Sequence, residues 1–255
     1  MINNAPDIHL SQRAHGWRIA PAHALAAAAV CWFGFAIVTF AVWTGKSETL
    51  DSAGLLFWRR GATLVPAGPP WLLEAVRDVT SLGGVLLRNL FASGAVAALL
   101  FLRLRREAVL LAATIAGGWI VNTLVKLAIG RPRPLIVTHL TEAGGQSFPS
   151  GHSFNSAVVF IAIALAFAAM SPRRSVRWTL VSLAIALSLA VAFSRVWLGV
   201  HFPSDVAAGW LGGAGWTFLA TAILHRPAKA VAAGADETLE RMTPGVNSRA
   251  DGPRC

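Results

Sequence analysis

Six apolar runs, each long enough to cross a lipid bilayer as a helix, constrain the fold of this chain more than any other feature. They cover residues 22–44, 84–102, 107–129, 154–170, 176–195 and 206–224. About 20 apolar residues are needed to cross roughly 30 Å of hydrocarbon. A chain of 255 residues that is 55% hydrophobic and 13% charged is also too apolar for a soluble domain. The sequence therefore predicts an all-α integral membrane protein, a six-helix bundle.

The first apolar run follows basic residues, so a cleaved signal peptide is the alternative to a membrane span. Its apolar stretch is long, and no small-x-small cleavage site follows it. These features favour a retained first helix.

Basic residues between and beyond the runs predict the orientation of the bundle. The four clusters are Arg13 and Arg18; Arg103, Arg105 and Arg106; Arg173, Arg174 and Arg177; and Arg226 and Lys229. All four fall on one side of a six-span chain, which the positive-inside rule makes the cytosolic side. We therefore expect both termini in the cytosol and, in a bacterium, an inner-membrane protein. Topology and anionic lipid account for the net charge of +10 without a nucleic-acid partner.

The spans divide the chain into three parts. We expect a cytosolic N-terminal segment over residues 1–20, a six-span domain over 21–225 and a cytosolic tail over 226–255. The tail is rich in Ala, Gly, Pro and charge, a composition typical of disorder.

The first of three outside loops, residues 45–83, contains a segment with helical periodicity. Its apolar positions are Trp71, Leu72, Ala75, Val76 and Val79, and its charged positions are Glu74, Arg77 and Asp78. This pattern predicts an amphipathic helix at the membrane interface. The alternative is a cap over the bundle with no chemical role.

The second outside loop, residues 130–153, begins with a group of cations. Lys126, Arg131 and Arg133 lie within eight residues, and two X-Pro pairs end the helix there. Such side chains often only reach toward lipid headgroups. Three of them on the outside face repel one another unless an anion joins them.

The same loop ends in Phe-Pro-Ser-Gly-His directly before the fourth span. Ser150, Gly151 and His152 thus form the approach to a helix N-terminus, where free N–H groups and the helix dipole favour an anion. A histidine beside that anion can donate a proton near neutral pH. The alternative is a surface histidine with Ser150 as an ordinary N-cap.

The third outside loop, residues 196–205, pairs a histidine with a carboxylate. If the sixth helix begins near Pro203, Asp205 can reach back to one ring nitrogen of His201 and fix its tautomer. The other nitrogen is then free to act as a nucleophile. An N-terminal capping arrangement is the alternative. Arg195 lies near the end of the preceding span.

Together these segments fit phosphoryl transfer. The topology brings cations, a donor-rich helix terminus and two histidines to one face, where one imidazole can attack phosphorus and the other can protonate the leaving oxygen. A metal site would need more carboxylates or histidines than these loops offer. We therefore expect neither a metal nor another cofactor.

The motifs resemble the three-part signature of the type 2 phosphatidic acid phosphatases, a family of lipid phosphate phosphatases. The resemblance covers about residues 50 to 220. The matching positions are Lys126 with Arg133-Pro134, Pro149-Ser150-Gly151-His152, and Ser194-Arg195 with His201 and Asp205.

The resemblance implies a metal-independent phosphatase that forms a phosphohistidine. It assigns His201 as nucleophile, His152 as proton donor and Asp205 as the residue that orients His201. It assigns phosphate binding to Lys126, Arg133, Ser150, Gly151 and Arg195. It leaves Arg131 without a role.

A lipid phosphate or pyrophosphate is the expected substrate, and membrane lipids are the only other expected partners. Polyprenyl pyrophosphate and glycerophospholipid phosphates are favoured, with a periplasmic active site if the host is bacterial. A lipid phosphotransferase with the same site, a haloperoxidase, and a headgroup-binding or lipid-moving protein are the alternatives. Six spans argue against a haloperoxidase, and a binder has no need of the His201–Asp205 pair.

Overall fold

The computed structural model describes residues 21–62 and 64–224. Along them lie α1 (Pro21–Trp43), α2 (Glu48–Leu56), β1 (Arg59–Arg60), β2 (Val65–Pro66), α3 (Pro70–Leu82), α4 (Val85–Phe101), α5 (Arg105–Ile129), α6 (Gly151–Ala168), α7 (Arg174–Trp197) and α8 (Pro203–Leu224). The predicted segment 1–20 and tail 226–255, with Arg13, Arg18, Arg226 and Lys229, lie outside the described residues.

The helices confirm the predicted spans. The helices α1, α5, α6, α7 and α8 are each long and apolar enough to cross a membrane. The predicted span over residues 84–102 corresponds to α4, which is long and apolar enough to be a sixth span only if it is taken together with α3, across a 47° bend. The predicted start of the fourth span is wrong by about three residues, because α6 begins at Gly151, whereas α8 begins at Pro203, where the third loop predicts the helix start. The hairpin of β1 and β2 is the one sheet within the described ranges.

The α6 helix forms the centre of the bundle. It packs against α4, α5, α7 and α8, while α1 covers the outer side of α8. Nearly all α6 side chains are buried, including Phe154, Val158 and Ile161. A helix that is apolar on every side is stable only when it is surrounded in this way.

Glycines on α8 bring its backbone close to α6. Gly209 faces the carbonyl of Ser150 and Gly213 faces that of Phe154, so a side chain at either position would collide with the α6 backbone. Small residues commonly allow such close packing between membrane helices. As a result the two N-termini lie side by side, and the Ser150 N–H donates to the Asp205 carbonyl at 3.0 Å.

The first outside segment lies over the turn that follows α7. The predicted amphipathic helix is present as α3, and its Leu72 and Val76 pack against the cluster of Trp197, Leu198 and Val200. Trp71, on the predicted apolar face, is 66% exposed and does not pack against this cluster.

The α2 helix and the hairpin in the same segment were not predicted. Arg59, in the hairpin, is buried and donates through both terminal nitrogens to the Trp197 carbonyl at 3.0 Å. The segment therefore fixes the loop that carries His201.

Candidate active site

Lys126 joins the end of α5 to the loop that follows. Its Nζ donates to the carbonyls of Gln146 and Pro149 at 2.8 and 3.0 Å. Gly130 ends the helix with φ +65°, a left-handed cap that glycine adopts without strain. The loop 130–150 is thereby folded back over the α5 terminus, directly before the Ser150–His152 motif.

Arg133 is the centre of this loop. Its guanidinium donates to the carbonyls of Gly144, Gly145 and Val200 at 2.8 to 3.1 Å. Its Nη1 also lies 3.0 Å from Nε2 of His201. Burial lowers the pKa of Arg133, and the charge of Asp205 opposes that effect. The arginine is held beside the ring that the sequence predicts to be the nucleophile.

His201 is fully buried and is held through its Nδ1. The Nδ1 atom lies 3.2 Å from Ser147 Oγ and 3.6 Å from Asp205 Oδ2, and Ser147 Oγ donates to the same carboxylate oxygen at 2.5 Å. A 3.6 Å separation is too long for a hydrogen bond, so the hydroxyl of Ser147 bridges the pair. With its proton on Nδ1, the ring presents an unprotonated Nε2 toward Arg133.

The environment of His201 keeps the imidazole neutral at physiological pH. Burial lowers its pKa to about 4, while the carboxylate of Asp205 acts in the opposite direction. A neutral ring is the form that can act as a nucleophile. Gly199, with φ +78°, forms the turn between α7 and His201, where a Cβ would lie 2.8 Å from Arg59 Nη2.

Asp205 is positioned by several donors besides Ser147. The N–H of Phe202 donates to its Oδ2 at 3.0 Å and Arg131 Nη1 donates to its Oδ1 at 2.8 Å. The same arginine donates to Asp51 Oδ2 at 2.8 Å and lies 4.2 Å from the ring centre of Phe202. Asp51 in turn accepts from the backbone N–H of Ser204 at 2.9 Å.

Arg131 therefore has a structural explanation that its sequence motif did not suggest. It connects α2 to the start of α8 and braces the carboxylate beside His201. Burial opposes the charged form, but the hydrogen bond to Asp51 and the charge of Asp205 outweigh it and raise the pKa of Arg131.

Ser150 is the N-cap of α6. Its Oγ accepts from Ser153 N at 3.4 Å and from Ser153 Oγ at 2.9 Å, and the residue is fully buried. Ser150 is thus an N-cap, as that alternative predicts, but His152 is half-buried and is not the surface histidine that the same alternative describes. Gly151 follows as the first helical residue, close to the side chain of Asn122.

Arg195 approaches the site from α7. It is 2% exposed, and its Nη1 donates to Thr80 Oγ1 of α3 at 2.9 Å. Its Nε is buried without a hydrogen-bond partner among residues 21–62 and 64–224. A buried donor left unpaired is costly, so an arginine in this state is suited to an incoming anion.

His152 is half-buried and belongs to the same cluster. The charges of Arg195, Arg88 and Arg133 act on its ring, and so does the ring of His201. The two imidazoles therefore lie at the same end of the bundle, which the sequence argument requires.

A cleft of about 870 Å³ lies next to this cluster, between the outer ends of α1 and α5. Arg131, Arg133 and Phe202 form part of its wall, but neither His152 nor His201 does. The cleft therefore borders the cluster without containing the histidines.

Comparison with known proteins identifies the family. The model of the PAP2 superfamily matches residues 106–229. Phosphatidylglycerophosphatase B of Bacillus subtilis is 32% identical over 179 residues, which cover 69% of this chain and 84% of that protein. The chain belongs to the PAP2 superfamily. The resemblance inferred from the three motifs is confirmed.

Other PAP2 relatives match over shorter stretches. Lipid A 1-phosphatase of Rhizobium etli is 36% identical over 121 residues, 44% of this chain and 47% of that protein. Undecaprenyl-diphosphatase BcrC of Bacillus subtilis is 33% identical over 93 residues, 35% of this chain and 43% of that protein. The chain thus spans less than half the length of these two relatives.

A solved structure shares the fold. The crystal structure of a transmembrane PAP2-type phosphatidylglycerolphosphate phosphatase from Bacillus subtilis superposes with a TM-score of 0.68 at 28% identity. The match covers 85% of this chain and 98% of that one. This PAP2 protein is therefore an integral membrane phosphatase.

The structure gathers the predicted site residues at one end of the bundle and adds four that were not predicted. The additions are Asp51, Thr80, Arg88 and Ser147. Only Arg88 carried a signal in the sequence, because a charged residue inside an apolar run is unusual.

Proposed function

We propose that this PAP2 protein removes the terminal phosphate from a lipid phosphate or pyrophosphate through a phosphohistidine on His201. Polyprenyl pyrophosphate and glycerophospholipid phosphate are the favoured substrates. The activities named for the relatives, on phosphatidylglycerophosphate, lipid A 1-phosphate and undecaprenyl diphosphate, support this substrate class.

The geometry of His201 carries the proposal. Its Nδ1 is held by Ser147 and Asp205, so the Nε2 lone pair is directed to the side where Arg133 lies. In the free protein that lone pair accepts from Arg133 Nη1. When the phosphate enters, the guanidinium turns to a phosphate oxygen and Nε2 faces phosphorus.

The proposed reaction has two steps. His201 Nε2 attacks phosphorus as the bond from phosphorus to the leaving oxygen breaks, and His152 gives its proton to that oxygen. Water then attacks the phosphohistidine, His152 takes a proton from the water, and the P–N bond breaks to release inorganic phosphate. General acid–base catalysis of this kind typically contributes about 10²- to 10⁴-fold.

Phosphate binding is proposed for Lys126, Arg133, Ser150, Gly151 and Arg195. The unpaired Nε of Arg195 and the helix N-terminus at Gly151 support this assignment. Cations around the equatorial oxygens stabilise charge in the transition state. These residues supply that charge without a metal ion.

We further propose that residues 21–225 form the phosphatase domain in a bacterial inner membrane. Both termini and the tail 226–255 lie in the cytosol, and the site faces the periplasm. The basic clusters that include Arg103 and Arg173 support this orientation through the positive-inside rule. Lipid phosphates and membrane lipids are the proposed partners, with no nucleic acid.

A His201→Ala variant tests the proposal. We expect purified His201→Ala protein in detergent to release no phosphate from lipid phosphates, while the wild type and a His23→Ala control release it. Brief reaction with ³²P-labelled lipid, followed by alkaline quench, is expected to leave label on the wild type only. Release of inorganic phosphate into a buffer that contains no alcohol acceptor distinguishes hydrolysis from transfer of the phosphoryl group to another acceptor.

EDTA is expected to leave the wild-type rate unchanged, and vanadate, which mimics five-coordinate phosphorus, is expected to inhibit. Turnover by His201→Ala at the wild-type rate would remove the nucleophile assignment. Loss of activity with EDTA that a divalent ion restores would remove the metal-free mechanism.

A further inference from the structure

Arg88 is a charged side chain inside a membrane span that the phosphatase signature does not include. It lies in the first turn of α4, directly after the bend, and is 4% exposed. Its Nη1 donates to the Gly83 carbonyl at 3.2 Å, and its guanidinium lies 6.0 Å from the ring centre of Trp119. Within residues 21–62 and 64–224 it contacts no carboxylate.

A single carbonyl is a poor partner for this group. Arginines within membrane spans are rare and costly; they pair with one another or with backbone carbonyls, or they face a water-filled cavity or a substrate pathway. Holding the bend at Gly83 needs only a hydrogen-bond donor, which a neutral side chain could supply. The full charge of Arg88 therefore calls for an anion.

Arg88 lies on the His152 side of the cluster. A methyl group on Gly83 would be 3.3 Å from His152 Cδ2, so the bend contacts this ring. Arg88, which donates to the Gly83 carbonyl at the same bend, is also among the charges that act on His152. His152 is the proposed donor to the leaving oxygen, so Arg88 lies near the leaving group.

Charge balance gives independent support. The cluster has five cationic side chains, which are Arg88, Lys126, Arg131, Arg133 and Arg195. Their only carboxylate contacts in the described part of the chain are Asp51 and Asp205. These side chains together carry three positive charges more than the two carboxylates compensate. A phosphate monoester dianion compensates two of them, so the cluster has charge left for a second anionic group.

We propose that Arg88 binds a second phosphate, carried by the leaving group of the substrate. This inference rests on the proposed function. It favours lipids whose leaving group stays anionic, either a lipid diphosphate or a phosphodiester lipid with a terminal phosphate. It disfavours phosphatidate, whose leaving group is a neutral diacylglycerol.

The test compares three substrates with Arg88 variants in detergent. We expect Arg88→Gln to lower kcat/KM by about 10- to 100-fold for undecaprenyl diphosphate or phosphatidylglycerophosphate, because a charge-assisted hydrogen bond is lost. For phosphatidate the change is expected to stay below about threefold. Arg88→Lys keeps the charge and is expected to fall between Arg88→Gln and the wild type.

Arg103→Gln is the matched control, since Arg103 is an exposed arginine two residues beyond α4. This variant is expected to leave kcat/KM unchanged for all three substrates. If Arg88→Gln lowers kcat/KM more for undecaprenyl diphosphate, Arg88 binds a phosphate joined directly to the scissile phosphate. If it lowers kcat/KM more for phosphatidylglycerophosphate, Arg88 binds a phosphate on the far side of the glycerol. An equal loss for all three substrates would overturn the proposal.

Inhibition of the wild type provides a test that does not depend on the variants folding. We expect inorganic pyrophosphate to compete with substrate at least tenfold more tightly than inorganic phosphate, and equal inhibition would refute the second subsite. A wild type that releases no phosphate from any of these lipids would instead reject the proposed function itself.

Discussion

We expect replacement of Arg131 to act mainly on the stability of the protein and less on phosphate binding. Its guanidinium contacts two carboxylates that are almost fully buried, Asp51 and Asp205, each at 2.8 Å. Removal of one partner from a buried ion pair typically costs about 3–5 kcal/mol, since a charge is left uncompensated. In a domain of this size 1 kcal/mol lowers Tm by about 2–4 °C. We therefore expect Arg131→Gln to lower Tm by roughly 6–20 °C.

Thermal unfolding in detergent, followed by tryptophan fluorescence, measures this effect. Arg131→Lys is not expected to restore Tm, because an ammonium cannot bridge two carboxylates as a planar guanidinium does. Arg131→Gln combined with Asp51→Asn is expected to be little worse than Arg131→Gln alone, because residues in one network are not additive.

Arg133→Gln is the comparison, because the Arg133 guanidinium contacts carbonyls and His201 but no carboxylate among residues 21–62 and 64–224. It is expected to lose activity with a smaller change in Tm. If Arg131→Gln kept the wild-type Tm and lost activity as Arg133→Gln does, the bracing role of Arg131 would be wrong.

Three further predictions concern Ser147, His201 and the orientation of the chain. Ser147→Ala removes the bridge between His201 and Asp205, and we expect kcat to fall about tenfold with KM nearly unchanged; a change in KM alone would argue against an orienting role. Because the pKa of His201 is lowered to about 4, its ¹⁵N imidazole signals, assigned with His201→Asn, should titrate near pH 4, and a midpoint above 6 would contradict the neutral nucleophile. The folded state then binds fewer protons than the unfolded state between pH 6.5 and 4, so this histidine lowers stability as the pH falls through that range. A reporter fused after Arg106 should be cytosolic and one inserted at residues 135–145 periplasmic; the reverse labelling would invert the proposed topology.

The sequence predicted the spans because membrane burial acts on each helix separately. An apolar run of about 20 residues has one structural outcome in lipid, and Gly130 with the two prolines after it ends α5 where the pattern predicts. The polar motifs at the outer ends then meet because the topology leaves them no other place.

Contacts between distant segments could not be predicted in this way. Asp51 and Arg131 are 80 residues apart, and Thr80 and Arg195 are 115 apart. Each of these four residues is a single polar residue with no periodic pattern around it. The bridging position of Ser147 depends on how the loop after α5 folds back, which local sequence does not specify.

The bend between α3 and α4 has a consequence for how substrate preference can change. The histidines and most of the cations are carried by α5, α6, α7 and α8 and by the loops between them, whereas α3 and α4 contribute Thr80 and Arg88. Substitutions in the bent pair can therefore retune which lipid is accepted and leave the bond-breaking apparatus intact. Exchanging the bent pair α3–α4 between PAP2 proteins offers a compact route to new specificities.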